Sequence, residues 1–209
     1  ACLDREVFLK LESLQVTGSF KVRGALVRLS ALGGDERRAG VVACSSGNHG
    51  RAVAWAAHRL GVDAVVCVPS WVDPVKRSAM EALGARVRLV GDSYDQAEAA
   101  AVALAAGEGR VLIHPFDDPL VVAGQATVAT ELLVQCPSVQ EVLVPLSGGG
   151  LVGGVAWALA PAGKPGSVTA VSARRARVMR ASLEAGRPVE LPEEETLASA
   201  LAGGIGLDN

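Results

Sequence analysis

Lys21 is the residue whose setting points most directly to chemistry. It lies in the run 17–25, TGSFKVRGA, at the start of a helix-like stretch. The neighbouring apolar residues are Phe20, Val22, Ala25, Leu26 and Leu29. Because burial disfavours a charged ammonium, a lysine held among such residues is a candidate amine nucleophile. A lysine at the start of an amphipathic helix is more often solvated, so this interpretation needs support from other segments.

The serine-asparagine loop, Ser45-Ser46-Gly47-Asn48-His49-Gly50, joins a short apolar strand to a helix. Its glycines allow a sharp turn, and N–H groups at a helix start favour an anion such as a carboxylate. The candidates for binding a substrate carboxylate are therefore Ser45, Ser46, Gly47, Asn48 and His49. The alternative is an ordinary turn whose serine and asparagine side chains cap the helix. His49 alone would be a loop histidine that makes one hydrogen bond.

The glycine loop, Ser147-Gly148-Gly149-Gly150-Leu151, again joins an apolar strand to a helix. Consecutive glycines carry an entropic cost, so they indicate a tight backbone path that can direct several N–H groups at a phosphate. The loop matches neither the dinucleotide fingerprint nor the nucleotide triphosphate loop, which requires a lysine followed by serine or threonine. The alternative is a close contact between helix and sheet.

Strand-like and helix-like stretches alternate along the chain, which predicts an α/β fold. The predicted strands are 7–12, 40–45, 64–69, 86–90, 111–114, 141–146 and 168–172, and the predicted helices are 20–32, 51–60, 74–83, 93–106, 121–136, 152–159 and 177–185. Short, continuously apolar strands separated by helices are typical of parallel open sheets flanked by helices.

Composition narrows the function. The chain has 209 residues, 50% of them hydrophobic, a formal net charge of -2 and 3% aromatic residues. A near-neutral surface with few aromatics argues against nucleic acid as a partner. We expect no membrane span and no signal peptide. Cys2, Cys44, Cys67 and Cys136 show no paired metal spacing, so we expect free thiols, a cytoplasmic location and no metal site.

A buried amine, a carboxylate site and a phosphate site together suit pyridoxal 5'-phosphate with an amino-acid substrate. The phosphate would bind the glycine loop, the aldehyde would meet Lys21, and the substrate would bind the serine-asparagine loop. Lysine forms Schiff bases with this cofactor, which acts as an electron sink. A nucleotide-binding α/β domain is the alternative outside this chemistry, and it lacks a matching fingerprint.

These segments resemble the fold-type II pyridoxal-phosphate enzymes, in the branch of serine/threonine dehydratases and serine racemase. The resemblance runs from about residue 9 to residue 201 and rests on the segments 17–25, 45–50, 114–119 with 123–125, and 147–151. Cysteine synthases of the same fold usually carry a Ser-Val-Lys-Asp-Arg segment and a Gly-Asn-Thr-Gly loop, which this chain lacks.

The resemblance implies a role for each candidate residue. Lys21 would hold the cofactor's aldehyde and then act as the base at the substrate Cα. Ser46 matches the serine that works on the opposite face in the racemases. Asn48 would bond the ring hydroxyl oxygen, and Phe20 would pack near the ring. The backbone of residues 46–49 would hold the substrate carboxylate, and the phosphate ligands would be Ser147, Gly148, Gly149, Gly150 and Leu151.

The resemblance also implies two lobes with the cofactor between them. Residues 40–114 would form a small mobile lobe, and residues 1–39 with 115–209 a large cofactor-binding lobe. Both ends look cut, and the family's serine or cysteine beside the pyridine nitrogen would lie beyond Asn209. Family loops often begin with glycine, so Ser147 requires an ordinary backbone conformation. Arginines at 174, 175 and 177 stand where some members hold a divalent cation, so we expect no such site.

The activity implied by the resemblance is that of a dehydratase, or ammonia-lyase, acting on a β-hydroxy-α-amino acid such as threonine or serine. The run 196–209 is similar to the hydroxyectoine-utilisation dehydratases, which adds a hydroxyectoine-derived amino acid as a candidate substrate. One alternative is a serine or amino-acid racemase that uses Lys21 and Ser46 on opposite faces. Another is a catalytically silent regulatory module that keeps the cofactor. We expect a homodimer or higher homo-oligomer.

Overall fold

The computed structural model describes residues 6–161, 163, 168–192 and 194–205. Cys2 and the end of the chain, residues 206–209, lie outside this part. The elements within it are α1 (Lys21–Ser30), α2 (Gly34–Ala39), β1 (Val41–Cys44), α3 (Asn48–Leu60), β2 (Ala64–Val68), α4 (Pro74–Ala82), β3 (Arg86–Leu89), α5 (Tyr94–Glu108), β4 (Val111–Leu112), α6 (Pro119–Gln135), β5 (Val142–Pro145), α7 (Gly150–Leu159), β6 (Val168–Val171) and α8 (Val178–Ala185). Two short 3-10 turns lie at Glu12–Leu14 and Ser199–Leu201.

The strands form two parallel sheets. The first has the order β3-β2-β1-β4, and the second pairs β5 with β6. Because β1 and β4 are parallel neighbours, the loops that follow residues 44 and 112 leave the sheet at the same edge. Helices separate successive strands, so the predicted α/β class with parallel sheets flanked by helices is confirmed.

The two central strands of the first sheet, β1 and β2, are buried on both faces, which explains why they are continuously apolar. On one face Ala43 packs in a cluster that contains Ala52 of α3. On the other face Val42 packs with Ala97 of α5. No helix in the described part of the chain is both long and apolar enough to cross a bilayer.

The strand predicted at residues 7–12 is wrong. Residues 6–11 have no regular structure, and a 3-10 turn begins at Glu12. A strand requires a neighbouring backbone, and no described strand pairs with this segment. Its Lys10 instead donates hydrogen bonds to Glu131 and Gln135 of α6. The six-residue α2 was not predicted, because it is too short to show helical periodicity.

Helix α6 packs closely against both α1 and α7 through glycines. A Cβ at Gly124 would lie 2.5 Å from the Cα of Gly24 in α1. A Cβ at Gly154 in α7 would lie 2.6 Å from the carbonyl oxygen of Val122. Because both contacts involve the first turns of α1 and α7, they hold the two helix starts against the same part of α6.

Charged hydrogen bonds fix the crossing of α1 over α6. Arg28 donates from Nε to Asp118 at 2.9 Å. Arg23 donates from both Nη atoms to Glu131 at 2.8 Å, and from Nε and Nη2 to Glu12 at 2.7 and 2.9 Å. Forked guanidinium–carboxylate pairs are strongly directional, so they set the rotation of α1 about its axis. That rotation determines where Lys21 points.

We expect Gly124→Ala to destabilise the protein by about 1–3 kcal/mol, because the new methyl group would meet backbone atoms that cannot move aside. Urea unfolding followed by circular dichroism measures the change. Gly107→Ala in α5 is the matched control, since its Cβ would meet nothing within 4 Å, and helix propensity predicts a gain of up to about 1 kcal/mol. Equal stability of the two variants would contradict a close α1–α6 crossing.

Candidate active site

The segment 113–116, which follows β4, contacts three of the sequence segments predicted to be functional. The carbonyl oxygen of Ile113 accepts a hydrogen bond from His49 of the segment 45–50. The carbonyl oxygen of Pro115 accepts a hydrogen bond from Lys21. Phe116 lies against Gly148 and Gly150 of the glycine loop. The amine, the predicted carboxylate site and the predicted phosphate site therefore meet at one edge of the first sheet.

Lys21 is the first residue of α1, and its side chain is held out of bulk water. Its Nζ donates a hydrogen bond to the carbonyl oxygen of Pro115 at 2.6 Å and lies 5.3 Å from the centroid of the Phe20 ring. Desolvation by burial lowers the pKa of Lys21 from 10.5 to about 8. The neutral amine, which is the nucleophilic form, is therefore accessible near pH 8.

The serine-asparagine loop turns the chain from β1 into α3. Ser45 is buried and its Oγ accepts a hydrogen bond from the N–H of Gly47 at 3.1 Å. Helix α3 begins at Asn48, and no side chain caps it. The capping alternative is therefore not supported. Ser46 is half-buried and Asn48 is exposed, so both side chains remain open to a ligand.

His49 is buried, and its side chain has a structural contact. Because the carbonyl oxygen of Ile113 can only accept, Nε2 of His49 carries the proton and donates at 2.8 Å. Burial, with a smaller effect from the charge of Lys21, lowers the pKa of His49 to about 3. The ring is neutral at pH 7 and makes the one hydrogen bond that was predicted, although His49 lies in the first turn of α3 and not in the loop. Its backbone N–H remains the candidate for the substrate carboxylate.

The glycine loop is shaped by Phe116. A Cβ at Gly148 would lie 2.4 Å from Cδ1 of the Phe116 ring, and a Cβ at Gly150 would lie 2.8 Å from the Phe116 carbonyl oxygen. Gly149 has a φ of 88°, which favours glycine. No described residue other than glycine has a positive φ, so Ser147 has the ordinary backbone conformation that its Cβ requires. The close contact is made with Phe116 rather than with the sheet.

The helices that start at the two predicted anion sites differ from three others in how they begin. Side chains cap α4, α5 and α6, through Asp73, Ser93 and Asp118. No side chain caps α3 or α7. The first N–H groups of an uncapped helix need another partner, and an anion is a favourable one. Helices α1 and α8 also begin without a side-chain cap, so it is the uncapped start together with the glycine-rich loop before it that suits α3 and α7 to an anion.

The residues that the sequence reasoning missed are Ile113, Pro115 and Phe116. The run 114–119 carried part of the family resemblance, but no role was assigned to it. Its position after the strand that neighbours β1 could have indicated one, because ligands in α/β folds bind at the carboxyl ends of the strands. Among the described residues, neither Ser46 nor Asn48 forms a hydrogen bond with Lys21, so their predicted roles depend on a ligand between them.

Known proteins are similar to this chain in both sequence and fold. The chain matches the family model described as "Pyridoxal-phosphate dependent enzyme" over residues 1–208. It is 46% identical over 204 residues to a putative threonine dehydratase of Sinorhizobium fredii, covering 98% of this chain and 61% of that protein. The processed form of threonine deaminase isoform 2 from Solanum lycopersicum has a TM-score of 0.90 and 36% identity, covering 93% of this chain and 57% of that one. Maize serine racemase has a TM-score of 0.84 and 36% identity, covering 91% and 58%.

The chain thus spans about three-fifths of the length of these relatives. Its described residues fit pyridoxal phosphate. The desolvated amine of Lys21 suits an aldehyde, and the uncapped first turn of α7 suits a phosphate. The sequence match, the fold and this fit agree, and the chain belongs to the family of pyridoxal-phosphate dependent enzymes.

Proposed function

We propose that this chain forms part of a pyridoxal-phosphate dependent dehydratase, or ammonia-lyase, that acts on a β-hydroxy-α-amino acid, with threonine and serine as the first candidates. The observation that carries the proposal is the buried amine of Lys21, whose Nζ lies 2.6 Å from the Pro115 carbonyl oxygen. The segment that contains Pro115 also contacts the glycine loop. The relative in Sinorhizobium fredii is named a putative threonine dehydratase and the one in Solanum lycopersicum a threonine deaminase, which supports threonine as the substrate.

Lys21 has two roles in this proposal. Its neutral amine would hold the aldehyde of bound pyridoxal phosphate, and the same amine would serve as the base that takes the proton from the substrate Cα. Bound pyridoxal phosphate supplies an electron sink for the charge that this proton leaves behind. A pKa near 8 suits a base that works close to neutral pH.

The two loops orient the reactants around Lys21. The backbone of residues 46–49 binds the substrate carboxylate at the uncapped start of α3. The glycine loop, residues 147–151, binds the cofactor's phosphate at the start of α7. Asn48 would bond to the ring hydroxyl oxygen of the cofactor, and the Phe20 ring would pack near the cofactor ring. The substrate's β-hydroxyl leaves as water, and addition of water then releases ammonia and gives a 2-oxo acid.

The larger organisation is also a proposal. All four strands of the first sheet lie within residues 41–112, which supports a small lobe at 40–114 and a large lobe at 1–39 and 115–209. In this proposal the small lobe closes on the bound substrate. Hydrogen exchange that is unchanged at residues 45–49 on adding substrate would contradict closure. We also propose a homodimer or higher homo-oligomer and a cytoplasmic location. The free thiols of Cys44, Cys67 and Cys136 support the location.

The purified protein with pyridoxal phosphate is expected to release ammonia and a 2-oxo acid from L-threonine or L-serine. Lys21→Ala is expected to lower kcat/KM by at least about 10²–10⁴-fold, since it removes the base. Lys76→Ala, at an exposed position of α4, is the matched control and should not change the rate. The substrate panel includes acetylated diaminobutyrate derivatives, which cover a hydroxyectoine-derived amino acid.

Full activity in Lys21→Ala would refute the assignment of the base. Cofactor binding by the wild-type protein without ammonia release from any substrate of the panel would instead indicate the catalytically silent module.

Capture of pyridoxal phosphate by the cofactor-free protein should depend on pH through Lys21. With a pKa of about 8, roughly a tenth of the amine is neutral at pH 7, against about one part in three thousand for a pKa of 10.5. The capture rate, followed by visible absorbance, should rise about tenfold from pH 6 to 7 and level off above about pH 8. A rate that keeps rising towards pH 10 would show a solvated lysine.

A racemase is the second candidate, and the similarity to maize serine racemase favours it. In that case Lys21 and Ser46 would act on opposite faces of the substrate. Chiral analysis of the amino acid that remains after incubation with L-serine distinguishes the two reactions. We expect no D-serine from a dehydratase. Racemisation would be established if D-serine forms and Ser46→Ala abolishes only this inversion, leaving ammonia release in place.

A further inference from the structure

Within the segment 113–116, His114 differs from the other residues in that its hydrogen bonds among the described residues are internal to the turn. Its Nδ1 lies 2.8 Å from the N–H of Asp117 and 3.3 Å from the N–H of Phe116. Backbone N–H groups only donate, so Nδ1 accepts from both and carries no proton. These two hydrogen bonds close a turn of the backbone immediately after β4.

Burial keeps the His114 ring neutral against the pull of the neighbouring carboxylates. Burial lowers its pKa below the usual value, Lys21 lowers it further, and the carboxylates of Asp117, Glu98 and Asp118 act in the opposite direction with smaller effect than burial. A neutral imidazole keeps the lone pair on Nδ1 that the two N–H groups require. The ring edge also packs against Phe116, with centroids 4.7 Å apart and planes at 86°.

The turn that His114 closes determines the position of two groups in the proposed site. The carbonyl oxygen of Pro115, inside the turn, is the acceptor for Nζ of Lys21 at 2.6 Å. Phe116, also inside the turn, packs so tightly on the glycine loop that neither Gly148 nor Gly150 could carry a Cβ. A shift of the turn would therefore move the partner of the amine and the wall of the phosphate loop together.

We propose that His114 is a positioning residue that couples the lysine to the phosphate loop by accepting two backbone N–H groups at Nδ1. The proposal rests on the proposed function in one respect only, that Lys21 and the glycine loop bind one cofactor. Because its effects appear in cofactor binding and in the titration of Lys21, it does not depend on which amino acid is turned over.

Two substitutions separate this role from simple space filling. In His114→Asn the oxygen Oδ1 lies the same number of bonds from the backbone as Nδ1, and asparagine readily accepts N–H groups two and three residues ahead. In His114→Gln the acceptor lies one bond further out and the volume is closer to that of histidine. His58→Gln, at an exposed position of α3, is the matched control.

The experiment measures pyridoxal phosphate binding to the cofactor-free protein by absorbance titration, and the apparent pKa of capture from its pH dependence. We expect His114→Asn and His58→Gln to bind within about threefold of wild type with capture still levelling off near pH 8. We expect His114→Gln to bind at least about tenfold more weakly, the cost of leaving backbone N–H groups without a partner. Its capture pKa should move up towards 10.5, because water reaches Lys21.

Thermal unfolding of each variant shows whether it folds. If His114→Gln does not fold, His114→Asn still decides, since a folded His114→Asn with wild-type binding supports the proposal. Folded His114→Asn that has lost cofactor binding, or His114→Gln with wild-type binding and an unchanged capture pKa, would overturn it. If the variants show the expected cofactor affinities and capture pKa values but the wild-type protein releases no ammonia, the result would count against the proposed function alone.

Discussion

The desolvation of one amine is the constraint on which the rest of the structure depends. An ammonium group taken out of water loses hydration that a single carbonyl cannot replace, so the neutral form of Lys21 becomes accessible near pH 8. That state costs stability, and it persists only because the surrounding elements over-determine the position of the side chain. Helix α1 is held by its apolar face against α3 and by glycines and ion pairs against α6.

Around the amine, the site is assembled from helix starts and strand ends. Helices α1, α3 and α7 begin there without side-chain caps, and the segment after β4 touches the residues at all three. Uncapped helix starts leave N–H groups that favour anions, and carboxylate and phosphate are the two anions that an amino acid and pyridoxal phosphate bring.

Much of this arrangement was predictable from the sequence. Alternating apolar strands and helices predicted the parallel sheets, and the residues around Lys21, Asn48 and Gly149 predicted one cofactor chemistry because each type suits a different part of the ligand. The strand at 7–12 was wrong because pairing depends on a partner that local pattern cannot reveal. The contact of Phe116 with the glycine loop was missed because it joins residues that lie more than thirty positions apart in the chain.

The identity of the lysine that carries the cofactor tests the account most directly. Sodium borohydride reduction of the protein with bound pyridoxal phosphate fixes the cofactor covalently to the amine that holds it, and peptide mass mapping locates the modified residue. We expect a pyridoxyl group on Lys21 and none on Lys10 or Lys76, because burial lowers the pKa of the Lys21 amine, whereas Lys10 is ion-paired with Glu131 and Lys76 is exposed. A label on Lys10 or Lys76 with Lys21 unmodified would contradict it.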